Sequence, residues 1–341
     1  MNKPICLVPR LRGLGGMVSF QAKLIQGLTE RDIPYTFDLS QSEITAVLVI
    51  GGTRHLAQLW RAKKRGALVV QRLNGMNWMH KVTPAPIREH LRAEINNHIL
   101  ALIRRFIADR IVYQSEFSQT WWNRVYGERD LPSDIVYNGV DLARYTPNGS
   151  ETPPDDRYRI LLVEGHLTGA YARGLETAVK LALAVKNALD KPLELMIVGE
   201  VSEPIKAEVA SLAGDLLINW HGVVPRQDIP AIDRSAHVLF STDLNAACPN
   251  SVIEALACGL PVLAYDTGAL AELVQAGAGE VVPYGADHWQ LKDPQIEPLA
   301  RACLKIFHEN ATYRMNARLQ AEGAFSLDQM VEGYLAALEV R

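Results

Sequence analysis

Residues 248–264 combine side chains and backbone features that could bind an anionic ligand carrying hydroxyl groups. The segment reads C-P-N-S-V-I-E-A-L-A-C-G-L-P-V-L-A, and its proline and glycine positions predict a loop, a helix, a turn and a buried strand. The free amides of the first helical turn, around Asn250 and Ser251, would attract an anion. Glu254, one turn further along, could accept hydrogen bonds from two hydroxyls such as those of a ribose. The alternative is a solvent-exposed glutamate on an ordinary helix.

A glycine cluster at residues 12–17, R-G-L-G-G-M, is the second stretch with suitable chemistry. It follows the first predicted strand and opens a helix, so the amides near Gly15 and Gly16 could approach a phosphate closely. A tight turn that binds nothing would carry the same glycines.

Short β-rich runs alternate with longer amphipathic stretches along the 341 residues, an order typical of parallel α/β sheets. A chain of this length exceeds the usual size of one hydrophobic core. We therefore predict an α/β protein with two Rossmann-like β/α/β domains facing across a cleft, where open sheets of this class place their ligands. The predicted strands are residues 5–9, 46–51, 67–73, 110–114 and 135–137, then 160–164, 195–198, 217–220, 237–241, 261–264 and 280–282.

The proline-rich polar stretch at 146–157 predicts a domain linker, because neither helix nor strand tolerates its composition well. We assign residues 1–145 to the first Rossmann-like domain, 158–312 to the second and 313–341 to C-terminal helices. A predicted helix near 85–108 has one apolar face, because its apolar residues recur at three- and four-residue spacing. These residues are Ile87, Leu91, Ile95, Ile99, Ile103 and Phe106.

The net charge of -3 conceals an asymmetry between the two halves of the chain. Residues 1–145 carry 20 basic and 12 acidic side chains, whereas residues 146–341 carry 15 and 26. This balance indicates that the first half faces something anionic, although cations also stabilise helix C-termini.

The longest uncharged run, eleven residues at 255–265, is too short to span a bilayer. Since the start of the chain also lacks a signal-peptide pattern, we expect a cytoplasmic protein.

The four cysteines lie scattered without C-x-x-C spacing, so we expect neither a disulfide framework nor a structural metal.

Residues 248–264 resemble the signature P-N-x-V-I-E-A-L-A-C-G-L-P-V of the group 1 glycosyltransferases. These are retaining, nucleotide-sugar-dependent enzymes with the GT-B fold. Residues 137–147, Y-N-G-V-D-L-A-R-Y-T-P, resemble the family's N-G-V-D-x-x-x-F-x-P junction, and residues 114–118 resemble its strand-end serine segment. The resemblance covers essentially the whole chain. It implies that Glu254 binds the nucleotide ribose, that the first domain binds the acceptor, that the second binds the donor, and that the last helix packs back toward the first domain.

Residues 165–176, G-H-L-T-G-A-Y-A-R-G-L-E, resemble the family segment G-R-L-x-x-x-K-G, whose arginine and lysine hold the diphosphate. Here His166 stands at the arginine position and Arg173 at the lysine position. Arg173 can still neutralise phosphate, whereas a histidine is charged only below about pH 6.5 unless phosphate raises its pKa. The resemblance therefore implies a donor site of unusual pH dependence.

Two further positions depart from the family pattern. The acidic residue expected eight positions before Glu254 is Ala246, so Asn245, Asp243 or amides near Asn250 would contact the transferred sugar. The histidine expected after the strand at 67–73 is Asn74, which cannot act as a base. In a retaining front-face reaction the departing phosphate can take the acceptor proton, so Asn74 and Arg173 would orient groups and stabilise charge. We place Arg72 and His80 on the acceptor side.

The resemblance implies a hexosyltransferase whose nucleoside diphosphate-sugar is a substrate, with no cofactor. The sequence has no D-x-D motif, and Arg173 with helix amides can take the phosphate charge, so we expect metal-independent transfer. Its acceptor would be a glycan or a lipid-linked molecule of cell-surface polysaccharide or glycoconjugate biosynthesis. The basic first half suits peripheral contact with anionic membrane at its inner face, and no nucleic acid is expected. Ala246, His166 and Asn74 leave open a catalytically impaired nucleotide-sugar-binding relative or scaffold. A Rossmann dehydrogenase fits poorly, because the glycines lack G-x-G-x-x-G spacing.

Overall fold

A computed structural model describes residues 3–13, 15–84, 86–167 and 172–340, with only the backbone of His166. The first elements are β1 (Ile5–Val8), α1 (Gly16–Glu30), β2 (Tyr35–Thr36), β3 (Ala46–Ile50), α2 (Leu56–Lys64), β4 (Leu68–Leu73), a 3-10 helix (Met79–Lys81), α3 (Ile87–Phe106), β5 (Arg110–Tyr113), α4 (Glu116–Tyr126) and β6 (Ser133–Ile135).

The chain continues with β7 (Tyr158–His166), α5 (Ala172–Lys186), β8 (Leu193–Glu200), α6 (Glu203–Ala213), β9 (Leu217–Gly222), a 3-10 helix (Arg226–Asp228), α7 (Ile229–Arg234), β10 (Val238–Ser241), α8 (Asn250–Ala257), β11 (Val262–Tyr265), α9 (Leu270–Leu273) and β12 (Gly279–Val282). A 3-10 helix (His288–Gln290), α10 (Ile296–His308), α11 (Asn310–Ala324) and α12 (Leu327–Ala337) complete it.

Two compact units divide the described chain. The first unit comprises residues 1–139 and 326–341, and the second comprises residues 140–325. The predicted linker at 146–157 lies within the second unit, and the predicted C-terminal segment is shared between the units, since α12 belongs to the first and α11 to the second.

The first unit contains a parallel six-stranded sheet in the order β2-β1-β3-β4-β5-β6. Its central strands are buried on both faces, as the continuous apolar runs predict for a parallel sheet covered by helices. One face packs against α1 and α12, where Phe20 and Tyr334 lie with ring centroids 4.9 Å apart. The α/β fold predicted for this half is confirmed.

The second unit contains another parallel six-stranded sheet, in the order β12-β11-β10-β7-β8-β9. Its core joins the central strands to α5 and α10 through aliphatic side chains that are fully buried. Both sheets are thus of the open, helix-covered type predicted by the alternation of short apolar runs and amphipathic helices.

Helix α3 forms where the sequence predicts it, but of its apolar stripe Ile103 is buried in the core and Ile99 packs against that core, whereas the rest of the stripe is exposed. Ile87 is 83% exposed and Leu91 58% exposed, and Ile95 and Phe106 also lie at the surface. The polar residues Asn97 and Arg104 are buried as well, and Arg104 donates hydrogen bonds to Tyr113, Asn123 and the carbonyl oxygen of Gly127. The spacing identifies an apolar face correctly, but only part of that face is buried.

Helix α12 begins with a capping box, in which the Ser326 hydroxyl accepts from the Gln329 backbone N–H and the Gln329 side chain accepts from that of Ser326. Its apolar face packs closely on α1, because a Cβ added at Gly27 would lie 2.3 Å from Cγ2 of Val331. In the described part of the chain, none of the helices is long and apolar enough to cross a membrane.

Candidate functional site

The strand order of the second unit locates a ligand crevice. Strands β8 and β9 lie on one side of β7, and β10 to β12 lie on the other, so the order reverses between β7 and β10. Open α/β sheets bind ligands outside the carboxyl ends of the strands at this reversal. Glu164 lies near the carboxyl end of β7, and Asp243 follows the last residue of β10 by two positions.

Glu164 and Asp243 form a pair of interacting carboxyl groups at this reversal. Burial raises the pKa of Asp243 to about 6. Burial, together with the neighbouring Asp243, raises the pKa of Glu164 well above its usual range. Both carboxyl groups therefore resist ionisation, and they present polar oxygen atoms at the reversal of strand order.

Helix α8 brings its N-terminus and Glu254 to the same end of the sheet. Pro249 is the N-cap residue of this helix and its side chain makes no capping hydrogen bond, so the first-turn amides could bind an anion. Glu254 is only 8% exposed. Burial and the nearby Glu254 raise the pKa of Asp233 well above its usual range.

The loop after β11 packs against the loop between β10 and α8 and hydrogen-bonds to it. The backbone N–H of Ala269 donates to the Ala246 carbonyl oxygen at 2.9 Å, and a Cβ at Gly268 would lie 2.6 Å from the Ala246 backbone. This contact leaves Asn245 buried in the left-handed region, with φ 58°. Neither its amide oxygen nor its amide nitrogen has a hydrogen-bond partner among the described residues. Buried amides are normally satisfied, so Asn245 has capacity for a ligand.

Arg173 lies in the first turn of α5, and its guanidinium donates to Asp293 at 2.6 Å. Both side chains are largely exposed, so this ion pair is weak and can exchange for a phosphate. Gly174 permits the approach of α5 to the end of β10, since a Cβ there would lie 2.7 Å from Cβ of Thr242. The side chain of His166 and residues 168–171 lie outside the described part of the chain.

The predicted residues of the first unit are partly brought together. Gly15 precedes α1 with φ 120°, a conformation that favours glycine, and Gly16 is the first helical residue. The side-chain oxygen of Asn74 lies 3.6 Å, and the sulfur of Met17 3.5 Å, from the Cβ position of Gly51, which follows β3. The glycine loop and Asn74 therefore share the carboxyl edge of this sheet, at the reversal between β1 and β3.

Arg72 and His80 occupy protein-lined positions. Arg72 is buried, donates to the Asn138 side-chain oxygen at 3.0 Å and lies over the ring of Phe20 at 3.7 Å. The ring of His80 bonds Glu94 at 2.7 Å through Nε2. The structure shows contacts of Arg72 and His80 with other protein side chains. Their contact with an acceptor stays a prediction.

Sequence reasoning missed Glu164, Asp233 and Asp293. Glu164 stands beside Gly165 in the segment matched to the diphosphate loop, and a carboxylate at a strand end was a usable signal. Asp233 and Asp293 come close to Glu254 and Arg173 only through the fold, so no spacing in the sequence points to them.

Comparison with known proteins agrees with this geometry. The family model described as "Glycosyl transferases group 1" matches residues 150–322. A D-inositol 3-phosphate glycosyltransferase of Gordonia bronchialis is 29% identical over 248 residues, which are 67% of this chain and 52% of that protein. The chain thus spans about half the length of this curated relative.

Solved structures show the same fold. HepE of Anabaena, solved in complex with UDP and glucose, superposes with a TM-score of 0.72 at 16% identity over 99% of this chain and 100% of its own. A glycosyltransferase of Rickettsia africae superposes with a TM-score of 0.70 at 17% identity, over 99% of this chain and 98% of its own. The expected GT-B fold is confirmed, and with the family match over half of its length the chain belongs to the group 1 glycosyltransferases.

Proposed function

We propose that this glycosyltransferase is a retaining hexosyltransferase that uses a nucleoside diphosphate-sugar. The acceptor would be a glycan or a lipid-linked molecule of cell-surface polysaccharide or glycoconjugate biosynthesis, and the enzyme would work in the cytoplasm. The observation that carries the proposal is Glu254, a buried carboxylate on α8, one turn after the first-turn residues Asn250 and Ser251. A ribose bound through two hydroxyls would place its diphosphate toward the amides of that first turn.

The diphosphate would be held by Arg173, the first turns of α5 and α8, and the backbone at His166. Arg173 would exchange its exposed pair with Asp293 for a phosphate oxygen. Fixed positive charge and helix amides together neutralise a diphosphate without a metal ion, so we propose metal-independent transfer that requires no cofactor. The transferred sugar would lie against Asn245 and Asp243, whose polar atoms take the place of the acidic side chain absent at Ala246.

Transfer with retention needs no protein base when the leaving phosphate takes the acceptor proton. The protein then contributes orientation and charge stabilisation, for which Arg173 on the donor side and Asn74 on the acceptor side are suited. The Oδ1 atom of Asn74 is buried and has no hydrogen-bond partner among the described residues. This supports a hydrogen bond from the acceptor to Asn74. Gly15 and Gly16 would bring backbone amides to the leaving group.

Thermal shift with UDP-, GDP-, ADP- and TDP-sugars, without metal, tests the proposal, because a ligand that binds the native state raises Tm. We expect one donor to raise Tm and to release nucleoside diphosphate slowly. Both effects should disappear in Glu254→Ala and persist in Glu208→Ala, a change at an exposed glutamate of α6. A Tm shift without turnover under any acceptor would favour a binding protein, and no shift with any donor would refute the proposal.

Peripheral contact with anionic membrane is proposed for the exposed stripe of α3. Ile87, Leu91 and Ile95 lie one turn apart at the surface, with Arg88 and Arg92 exposed between them. An apolar stripe flanked by cations inserts into an anionic interface.

Sedimentation with vesicles of phosphatidylcholine, with and without phosphatidylglycerol, tests this contact. We expect binding to the anionic vesicles that falls in Leu91→Ser but not in Leu319→Ser, a control at an exposed leucine of α11. Equal binding by both variants would contradict the membrane role of α3.

A further inference from the structure

Three metal-ligating side chains converge at the start of α3 in the first unit. His90 and Glu94 lie one helical turn apart, and His80 comes from the 3-10 helix at Met79–Lys81. One ligand atom from each of the three lies within 4.8 Å of the other two. His90 and Glu94 are neighbours through helical spacing, whereas His80 is ten positions before His90 and joins them only through the fold.

The ring of His90 is oriented as a metal ligand requires. Its Nδ1 lies 3.3 Å from the carbonyl oxygen of His80, and because a carbonyl only accepts, Nδ1 carries the proton in this contact. Nε2 then presents its lone pair. Metal-bound histidines commonly have this arrangement, in which the second ring nitrogen donates to a backbone carbonyl.

His80 is incompletely satisfied without a further partner. Its side chain is 7% exposed and its Nε2 lies 2.7 Å from the carboxylate of Glu94, so Nε2 carries a proton there. Its Nδ1 is buried and has no hydrogen-bond partner among the described residues. The two imidazole nitrogens point away from each other, so an ion shared with Glu94 would bind Nε2 in place of the proton between Nε2 and the carboxylate, and Nδ1 would then carry the ring proton.

We infer that His80, His90 and Glu94 bind one divalent transition-metal ion of the Zn²⁺ type, linking the segment around Met79–Lys81 to α3. Two imidazoles and one carboxylate suit Zn²⁺, whereas Mg²⁺ and Ca²⁺ prefer oxygen ligands alone. Tetrahedral zinc requires ligand atoms about 3.4 Å apart, given Zn–N bonds of about 2.0–2.1 Å. The exposed His90 ring can close the remaining distance. Its three ligands belong to the first unit, whereas Glu254 and Arg173 belong to the second.

Two further side chains, Lys81 and His98, lie next to Glu94. Lys81 places its ammonium 3.1 Å from the Glu94 carboxylate and competes with a cation, but its side chain is exposed and can swing away. His98, one turn beyond Glu94, uses Nδ1 to donate to the Glu94 carbonyl oxygen at 2.8 Å, and its ligand atoms are not part of the converging group. Removing the lysine charge should therefore strengthen metal binding.

Titration calorimetry of the full chain with Zn²⁺ and Mg²⁺, after chelator treatment and dialysis, tests the site. We expect one Zn²⁺ per chain and no binding of Mg²⁺. With Co²⁺ as a second probe, visible absorption bands should report nitrogen coordination. His90→Ala and Glu94→Gln should weaken Zn²⁺ binding at least tenfold, and Lys81→Met should tighten it. His55→Ala, a change at an exposed histidine of the same unit, should leave it unchanged.

The variants at exposed or half-exposed positions are chosen so that loss of binding is not loss of folding. Their circular dichroism and Tm without metal should match those of the parent protein. Weak Zn²⁺ binding that falls as much in His55→Ala as in His90→Ala would identify adventitious binding only and overturn the inference. Zn²⁺ binding that is unchanged in both Glu94→Gln and Lys81→Met would also overturn the inference, because the Glu94 carboxylate would then not be a ligand.

Discussion

Asp243→Asn should stabilise the protein near neutral pH while reducing transfer. Because burial raises the pKa of Asp243 from 3.8 to about 6, the folded state is penalised when the carboxylate ionises. Stability from this group is fully present below the unfolded-state pKa and is lost as the pH rises through the folded-state pKa. The window is therefore about pH 4 to 7, and stability falls as the pH increases across it.

The magnitude follows from the size of the shift. About two pKa units, at 1.36 kcal/mol each, give about 3 kcal/mol as an upper limit. Partial exposure of Asp243 reduces this, so we expect about 1–3 kcal/mol above pH 7. For a domain of this size, each kcal/mol raises Tm by about 2–4 °C. The asparagine also removes the charge that disfavours ionisation of Glu164, which acts in the same direction.

Scanning calorimetry of both proteins from pH 4 to pH 8 measures the effect. The Tm difference in favour of Asp243→Asn should be near zero at pH 4 and should reach its full value above pH 7. Asp266→Asn, at an exposed carboxylate after β11, serves as the control and should show no such trend. A Tm difference that stays constant across the range, or a variant less stable than the parent at pH 8, would refute the reasoning.

Two further predictions concern close packing. Gly27→Ala should destabilise the first unit by about 1–3 kcal/mol, because the added Cβ meets Val331 on α12. Adding Val331→Ala should recover much of that loss, and urea unfolding of the single and double mutants measures it. Gly174→Ala should push α5 away from Thr242 and weaken nucleoside diphosphate binding measured by calorimetry; unchanged affinity would show that the approach of α5 does not position the diphosphate.

Much of the fold could be predicted because the local signals are strong. The central strands are continuous apolar runs bounded by polar residues, and all but the two-residue β2 were expected within a few positions. Strand β6 begins at Ser133 rather than at residue 135, and β2 is too short to leave a pattern. The start of α8 at Asn250 follows from Pro249, and this placed Glu254 correctly on the helix.

The rest depends on contacts between distant parts of the chain. The pairing of Glu164 with Asp243 follows from the adjacency of β7 and β10, which strand propensity does not reveal. The contact of His80 with Glu94 depends on how the segment before α3 folds back onto that helix. The periodicity of α3 defines an apolar face, but it does not reveal that Ile103 on this face is buried while Ile87 is exposed, or that Arg104 is buried with hydrogen-bond partners.

The most direct test of the donor site is the affinity of a nucleoside diphosphate for the parent protein, Glu254→Ala and Glu208→Ala, measured by calorimetry without metal. Loss of two hydrogen bonds to a charged acceptor, at about 1.5–3 kcal/mol each, predicts at least a hundredfold weaker binding by Glu254→Ala. Glu208→Ala should bind like the parent. Equal affinity in all three proteins would contradict a ribose contact at Glu254, and with it the proposed donor site.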